Sequence, residues 1–407
     1  MATDNPSTTG ETVARYRYRR RMTQEQLAEA AGLSVSAVKA IERGSRGGRM
    51  ATLHRLAAAL GIRTSDLLVP ATGASVVGET EPDALLAIRQ VLTPPLARLP
   101  DPGRPPTPEV WRDTLRYAER LYDEGEYDAA LAAVPVLLNE ARALAEADPA
   151  RLNALAHAYL YAAQILTQIR RLDLANHALY KAMELARTLS DEVLAAGTVM
   201  VQCWTLLLQR RLPEVEQLAL STAELVEPRM SDPASPKLAT WGWLMMRASA
   251  AAIRDARNDD SEQYMLQAHA AAARLGDAPG QVARIQQQLP LGVRGFSAAT
   301  VAYKDVENAV LAGEPEQALD LSSRVPPSEI TTTNNLDRHR LDVASAQLAV
   351  RKPADAVETL LTVRQSSPEW LRRQGYARDL VRQLVEGRRR AYVDQVGLLA
   401  DHVGVPL

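Results

Sequence analysis

The chain has 407 residues, 24% of them charged and 46% hydrophobic, with a formal net charge of −2. The hydrophobic share excludes disorder over the whole chain. The single cysteine excludes a disulfide framework, a thiolate zinc cluster and a CxxC redox pair, and no apolar run reaches the roughly 18 residues of a membrane span.

Residues 1–10 are polar and lack the basic-then-apolar order of a signal peptide, so a cytoplasmic location is expected. From Glu11 to Leu68, eleven Lys and Arg residues face five acids, a local charge of +6. With −1 on residues 1–10, the remainder carries −7. A basic head on an acidic body is the asymmetry of a nucleic-acid-binding module joined to a different domain.

The head reads as five short helices. Val13 and Tyr16 share one face of the first, about Glu11–Arg21. The second, about Gln24–Ala31, opens on Thr23-Gln24-Glu25-Gln26, a capping box with Thr at N-cap and Gln at N3, and stops at Gly32. Ser34 caps the third, about Val35–Glu42, which turns Val38 and Ile41 inward. The fourth, about Ala51–Leu60, carries Leu53, Leu56, Ala57 and Leu60 on one face. A fifth starts near Thr64-Ser65-Asp66 and buries Leu67 and Leu68. Helix, short turn, helix is the spacing of a helix-turn-helix.

Met22-Thr23-Gln24-Glu25-Gln26-Leu27-Ala28, Ala31-Gly32-Leu33-Ser34, Ile41-Glu42-Arg43-Gly44 and the Leu53–Ile62 stretch together resemble the lambda-repressor/Cro-like (XRE) family, without a gap over 11–68. The resemblance implies a DNA-binding domain. It assigns Arg17 and Gln24 to the phosphate backbone, and Ser34, Val35 and Ser36 to base edges at the start of the recognition helix. Lys39 and Ala40 follow one turn on, and Arg43 and Arg46 complete the phosphate contacts. Val35, Ser36 and Ala40 are too small or apolar for bidentate base readout, which leaves specificity to Lys39, DNA shape or dimer spacing.

Residues 69–108 read as a linker: a turn-rich stretch, a short helix about Asp83–Leu92, and a spacer over Thr93–Pro108 with seven prolines. From there to 407 the pattern is helical, without period-two alternation, which makes the chain all-α. Six turn signals separate antiparallel helix pairs. They begin at Gly125, Arg170, Arg211, Asn258, Gly313 and Arg351, often with a small residue such as Ala130, Ala175, Ala318 or Ala356 just after the turn, and a terminal helix runs through Gly387–Val403. Gly125-Glu126-Tyr127-Asp128-Ala129-Ala130-Leu131 resembles a tetratricopeptide repeat, although the spacing is irregular; a generic α-solenoid fits the pattern as well. Either gives a curved stack with a concave face.

By repeat position the first helices of the pairs aim His157, Gln164, Gln168, Gln202, Gln209, Arg247, Arg254, Asn308 and Asp342 into that groove. Amides suit a peptide backbone, and Arg suits a carboxylate or phosphate. Trp204, Trp241 and Trp243 read as core packing, and Cys203 as a core thiol. The six histidines are scattered, and no HExxH, GxGxxG, P-loop or GxSxG occurs, so no enzyme, metal or cofactor is expected. A helix-turn-helix head on a degenerate repeat body is similar to actinobacterial regulators and to Gram-positive peptide-sensing quorum-sensing regulators. That similarity implies a homodimer on double-stranded DNA that answers to a peptide, small-molecule or protein effector. A scaffold whose head docks on protein rather than DNA is the competing expectation, and steep salt dependence separates the two.

Overall fold

A computed structural model describes residues 9–20, 22–43, 50–62, 67, 83–93, 105–229, 235–276, 279–289, 293–326, 332–387 and 393–406. The chain divides into two compact units, Met1–Glu81 and Pro82–Leu407. The fold is all-α, and no strand occurs among the described residues. None of their helices is long and apolar enough to cross a membrane.

The first unit holds α1 (Thr9–Arg19), α2 (Gln24–Ala30), α3 (Val35–Glu42) and α4 (Met50–Leu60). Both expected caps form. Thr23 Oγ1 accepts from the Gln26 amide at 3.1 Å while Gln26 Oε1 accepts from the Thr23 amide at 2.8 Å. Ser34 Oγ accepts from the Ala37 amide at 3.2 Å. These bonds satisfy amides that a helix start leaves orphaned, and Gly32, at φ 59°, makes the left-handed turn between the two helices. The apolar stripes then meet in one core of Val13, Leu27, Val38, Ile41, Leu53, Leu56 and Leu60, with Leu67 buried beside them. Leu67 is the described residue of the expected fifth helix; Thr64, Ser65, Asp66 and Leu68 lie outside the described residues.

In the second unit α5 (Asp83–Leu92) is part of the body, not of a linker. Its Leu85, Ile88, Val91 and Leu92 are buried in the same core as the first repeat helices. The reason is its pattern: those four positions make one apolar face, and a helix in a free linker would leave it in water. The turn-rich stretch 68–82 and most of the Pro-rich spacer lie outside the described residues.

Six helix pairs follow: α6 (Pro108–Asp123) with α7 (Tyr127–Ala147), α8 (Leu152–Gln168) with α9 (Leu172–Thr188), and α10 (Glu192–Leu208) with α11 (Leu212–Val226). Then come α12 (Pro236–Arg254) with α13 (Asn258–Leu275) and, past α14 (Pro279–Gln288), α15 (Ala298–Ala312) with α16 (Pro315–Ser323). Last are α17 (Thr333–Ala349) with α18 (Pro353–Ser366), closed by α19 (Pro368–Arg373), α20 (Gly375–Glu386) and α21 (Val393–Val403). The turn inside each pair has a residue with positive φ: Gly125, Arg170, Arg210, Ala256, Gly313 and Arg351. Sequence punctuation finds these turns within two residues, and four of the six place a side chain where glycine is easiest. Ala130, Ala175, Ala318 and Ala356 are fully buried, the close approach for which their size suits them.

The body closes on itself. One hydrophobic core contains both early residues such as Tyr127, Leu137 and Ile165 and late ones such as Leu341, Trp370 and Leu380. At the seam Tyr127 Oη donates to Asn334 Oδ1 at 2.6 Å, the Asp128 amide donates to Glu369 Oε1 at 3.0 Å, and Arg373 pairs with Asp128 at 2.5 Å. Because the last helices pack back onto the first pair, the extended groove expected from the repeats narrows to a partly open cavity.

Candidate nucleic-acid interface and interior cavity

In the first unit, α3 buries Val38 and Ile41 and presents Ser36, Lys39 and Arg43 to solvent, with Val35 and Ala40 half-buried between them. Ser34 is exposed but spends its hydroxyl on the cap and on Ser36 Oγ, 3.0 Å away. Lys39 lies 3.5 Å from Glu25, both well exposed, so that pair is weak and easily exchanged. Arg43 Nε donates to the Lys39 carbonyl. Arg46 lies outside the described residues.

Arg17 is a correction. It is 5% exposed, and its guanidinium is spent within the domain. Nε and Nη2 fork onto the two oxygens of Glu42 at 2.7 and 2.9 Å, and Nη1 donates to the Met22 carbonyl at 3.0 Å. Gln24 Nε2 donates to Glu42 Oε2 at 2.7 Å. With three of its five N–H donors used by one carboxylate and one carbonyl, Arg17 ties α1 to α3 in this structure. Burial alone would raise the Glu42 pKa, but the bonds from Arg17 and Gln24 outweigh it and hold the carboxylate below the usual range.

The second unit holds a partly open cavity of about 290 Å³ lined by the first helix of every pair. Gln164, Gln168, Arg247, Arg254 and Asp342 line it as expected. His157, Gln202, Gln209 and Asn308 do not. Asn308 Nδ2 is bonded to Ser249 and Ser261, at 2.9 and 3.2 Å, in the packing between α12, α13 and α15. Gln202 faces an outer groove with Tyr180 and Arg211. Burial depresses the His157 pKa, so its imidazole is held neutral. Helices that curve around a closed ring rotate some positions of a straight repeat off the inner wall.

Sequence reasoning missed Trp204, Trp243, Tyr303, Lys304, Glu307 and Arg338, which also line the cavity. Trp243 is core on one side, donating to the Val293 carbonyl at 2.8 Å and tilted against Phe296, yet its other side borders the cavity. Glu307 is buried and held well below the usual carboxylate range: burial alone opposes this, and Lys304, Arg254 and Arg338 around it outweigh the burial. Arg254 reaches it at 2.5 Å, Lys304 pairs closely, and Arg338 lies at 3.8 Å while also holding Asp342 at 3.4 Å. Burial pushes the Asp123 carboxyl up to about 6. Cys203 is fully buried and its thiol is pushed up to about 12, also by burial, as a core thiol requires.

Two solved structures are similar to this chain. One is Bacillus thuringiensis PlcR in complex with the peptide PapR7 and DNA: 11% identity, 87% of this chain and 99% of that one covered, TM-score 0.32. The other is the PrgX/iCF10 complex: 12% identity, 88% and 96% covered, TM-score 0.34. No curated protein matches the sequence. Residues 13–67 match the family model described as helix-turn-helix, and the first unit of this chain is a helix-turn-helix domain of that family.

Proposed function

We propose that the chain is a transcription regulator that acts in the cytoplasm as a homodimer on double-stranded DNA and takes an effector in its helical body. The observation that carries the reading is the helix-turn-helix match over residues 13–67, on a segment whose α3 leaves Ser36, Lys39 and Arg43 exposed. In this reading α3 enters the major groove, with Val35, Ser36, Lys39 and Ala40 toward base edges. Arg43 and Arg46 hold phosphates, Gln24 contributes a backbone contact with the part of its amide that Glu42 leaves open, and Ser34 positions the helix. Phosphate contacts fix register, and the α3 side chains select sequence.

The test is a shift assay on genomic fragments with a salt titration. Lys39→Ala is expected to weaken specific binding by about tenfold or more and to flatten discrimination between fragments. Arg43→Ala is expected to weaken binding to all fragments alike and to reduce the salt slope by about one. Binding that is absent at physiological salt, or insensitive to salt, overturns the reading in favour of a protein-docking head.

A further inference from the structure

The cavity has a charge balance opposite to that of the body around it. Arg170, Arg247, Arg254, Arg294, Lys304 and Arg338 line it, against Asp123, Glu307 and Asp342. The carboxylates are mostly engaged: Glu307 among three cations, Asp342 with Arg338. Arg294 is paired with Glu119 at 2.5 Å. Arg247 is different. It sits mid-helix on α12, its Nε is buried without a hydrogen-bond partner, and no carboxylate pairs with it among the described residues. Its guanidinium lies 5.8 Å from the Trp243 ring centre, one helical turn back, a contact that orients a cation but does not neutralise it. Glu307 acts on it only as a charge at longer range, and a half-buried cation without a directly paired carboxylate is a site where a ligand can supply the missing partner.

Part of the cavity lining is apolar. Trp204, Leu207, Trp243 and Met246 line the same cavity. Its volume, about 290 Å³, is at the low end of the roughly 300–1,000 Å³ of ligand pockets. That volume suits a metabolite better than an extended peptide.

We propose that the cavity binds a small organic anion, with its carboxylate or phosphate on Arg247, its apolar part against Trp204 and Trp243, and Arg170 at the exposed rim. This rests on the reading of the body as an effector domain and narrows the effector to that chemical class.

The test uses the full chain. All five tryptophans, Trp111, Trp204, Trp241, Trp243 and Trp370, lie in the second unit, so their fluorescence reports that unit alone. The probes are inorganic phosphate, phenyl phosphate, benzoate and neutral benzamide, at matched ionic strength against chloride. Benzoate or phenyl phosphate is expected to bind at least about tenfold tighter than benzamide, and whichever binds tighter names the headgroup. Arg247→Met is expected to raise the Tm of the unliganded body by about 2 °C, because it removes a half-buried charge with no directly paired carboxylate, and to abolish the preference for anions. Arg247→Lys is expected to keep part of that preference. A lowered Tm or failed folding in Arg247→Met overturns the proposal, since Arg247 would then be structural; so does an anion preference that survives it, or wild type that prefers no anion. DNA binding measured in parallel is unchanged in Arg247→Met, so loss of the cavity site and failure of the regulator reading give different results.

Discussion

Replacing Arg17 with Met asks whether this side chain holds the helix-turn-helix together or touches DNA. The side chains of Arg17 and Glu42 are 6% and 7% exposed and meet in a two-pronged pair at 2.7 and 2.9 Å. Breaking a buried pair from one side costs about 3–5 kcal/mol, because the remaining charge stays buried. Here Gln24 still donates to Glu42 and a few water molecules can reach it, so the lower end, about 3 kcal/mol, applies. A unit of this size has roughly 3–9 kcal/mol in total, so the loss is comparable to the whole. The first unit has no tryptophan, which makes hydrogen exchange of the α2 and α3 amides, read by mass spectrometry on the full chain, the direct assay. About 3 kcal/mol corresponds to roughly 150-fold faster exchange of the most protected amides. The double variant Arg17→Met with Glu42→Leu, which removes both charges, is expected to recover all but about 1 kcal/mol. The pH dependence has a defined sign. The Glu42 pKa is lower folded than unfolded, so its contribution is complete above about pH 4.5 and is lost as the pH falls below that; Glu42→Gln removes the acid step. Unchanged exchange in Arg17→Met together with weaker DNA binding would refute the argument and return Arg17 to the phosphate backbone.

Three further outcomes are expected. A Cβ at Gly242 would lie 2.1 Å from the Phe296 ring, so Gly242→Ala is expected to destabilise the second unit by about 1–3 kcal/mol in urea titrations followed by tryptophan fluorescence. Arg210 is exposed at φ 58°, and Arg210→Gly is expected to raise stability by about 0.5–1 kcal/mol in the same assay, since relief of left-handed strain exceeds the entropy glycine adds to the unfolded chain; a lower Tm contradicts this. His339 is buried on Tyr303, and burial lowers its pKa to about 4. The unfolded state therefore takes up its proton first, stability is full above about pH 6.5 and falls from there toward pH 4, and the loss at pH 5 is about 2 kcal/mol. His339→Gln is expected to lack that part of the pH dependence, and an identical pH profile would rule the histidine out.

What the sequence discloses is local. Thr23 with Gln26 and Ser34 with Ala37 are partners three residues apart, so their bonds can be read from the order of residues alone. The turns of the body announce themselves by Gly, Arg and Pro next to small residues for the same reason. Arg17 and Glu42 are 25 residues apart, and their pairing depends on how α1 crosses α3. Tyr127 and Asn334, which help to close the body, are 207 apart. Nothing in either neighbourhood encodes that contact, so a repeat pattern read from sequence gives an open groove. The same distance effect explains the cavity. Arg247 and Arg254 both line the cavity, but whether each is paired depends on Glu307 from another pair, and Trp204 and Trp243 look like core until the closing helices define an inside.

The partition of charge follows from this closure. Pro82–Leu407 carries −5, yet the cavity concentrates cations over carboxylates, so the rest of the body is more acidic than its total. An acidic exterior is repelled by phosphate, and a basic head attracts it, with both effects screened over about 10 Å at ordinary salt. Of the cavity cations Arg170 is exposed and Arg247, Arg254, Arg294, Lys304 and Arg338 are half-buried, and several of them are already engaged by carboxylates. An anion that reaches them meets a site of opposite sign to the surface it has crossed. Such a site favours a small ligand over another acidic macromolecule, because only a small ligand leaves the acidic exterior behind when it binds.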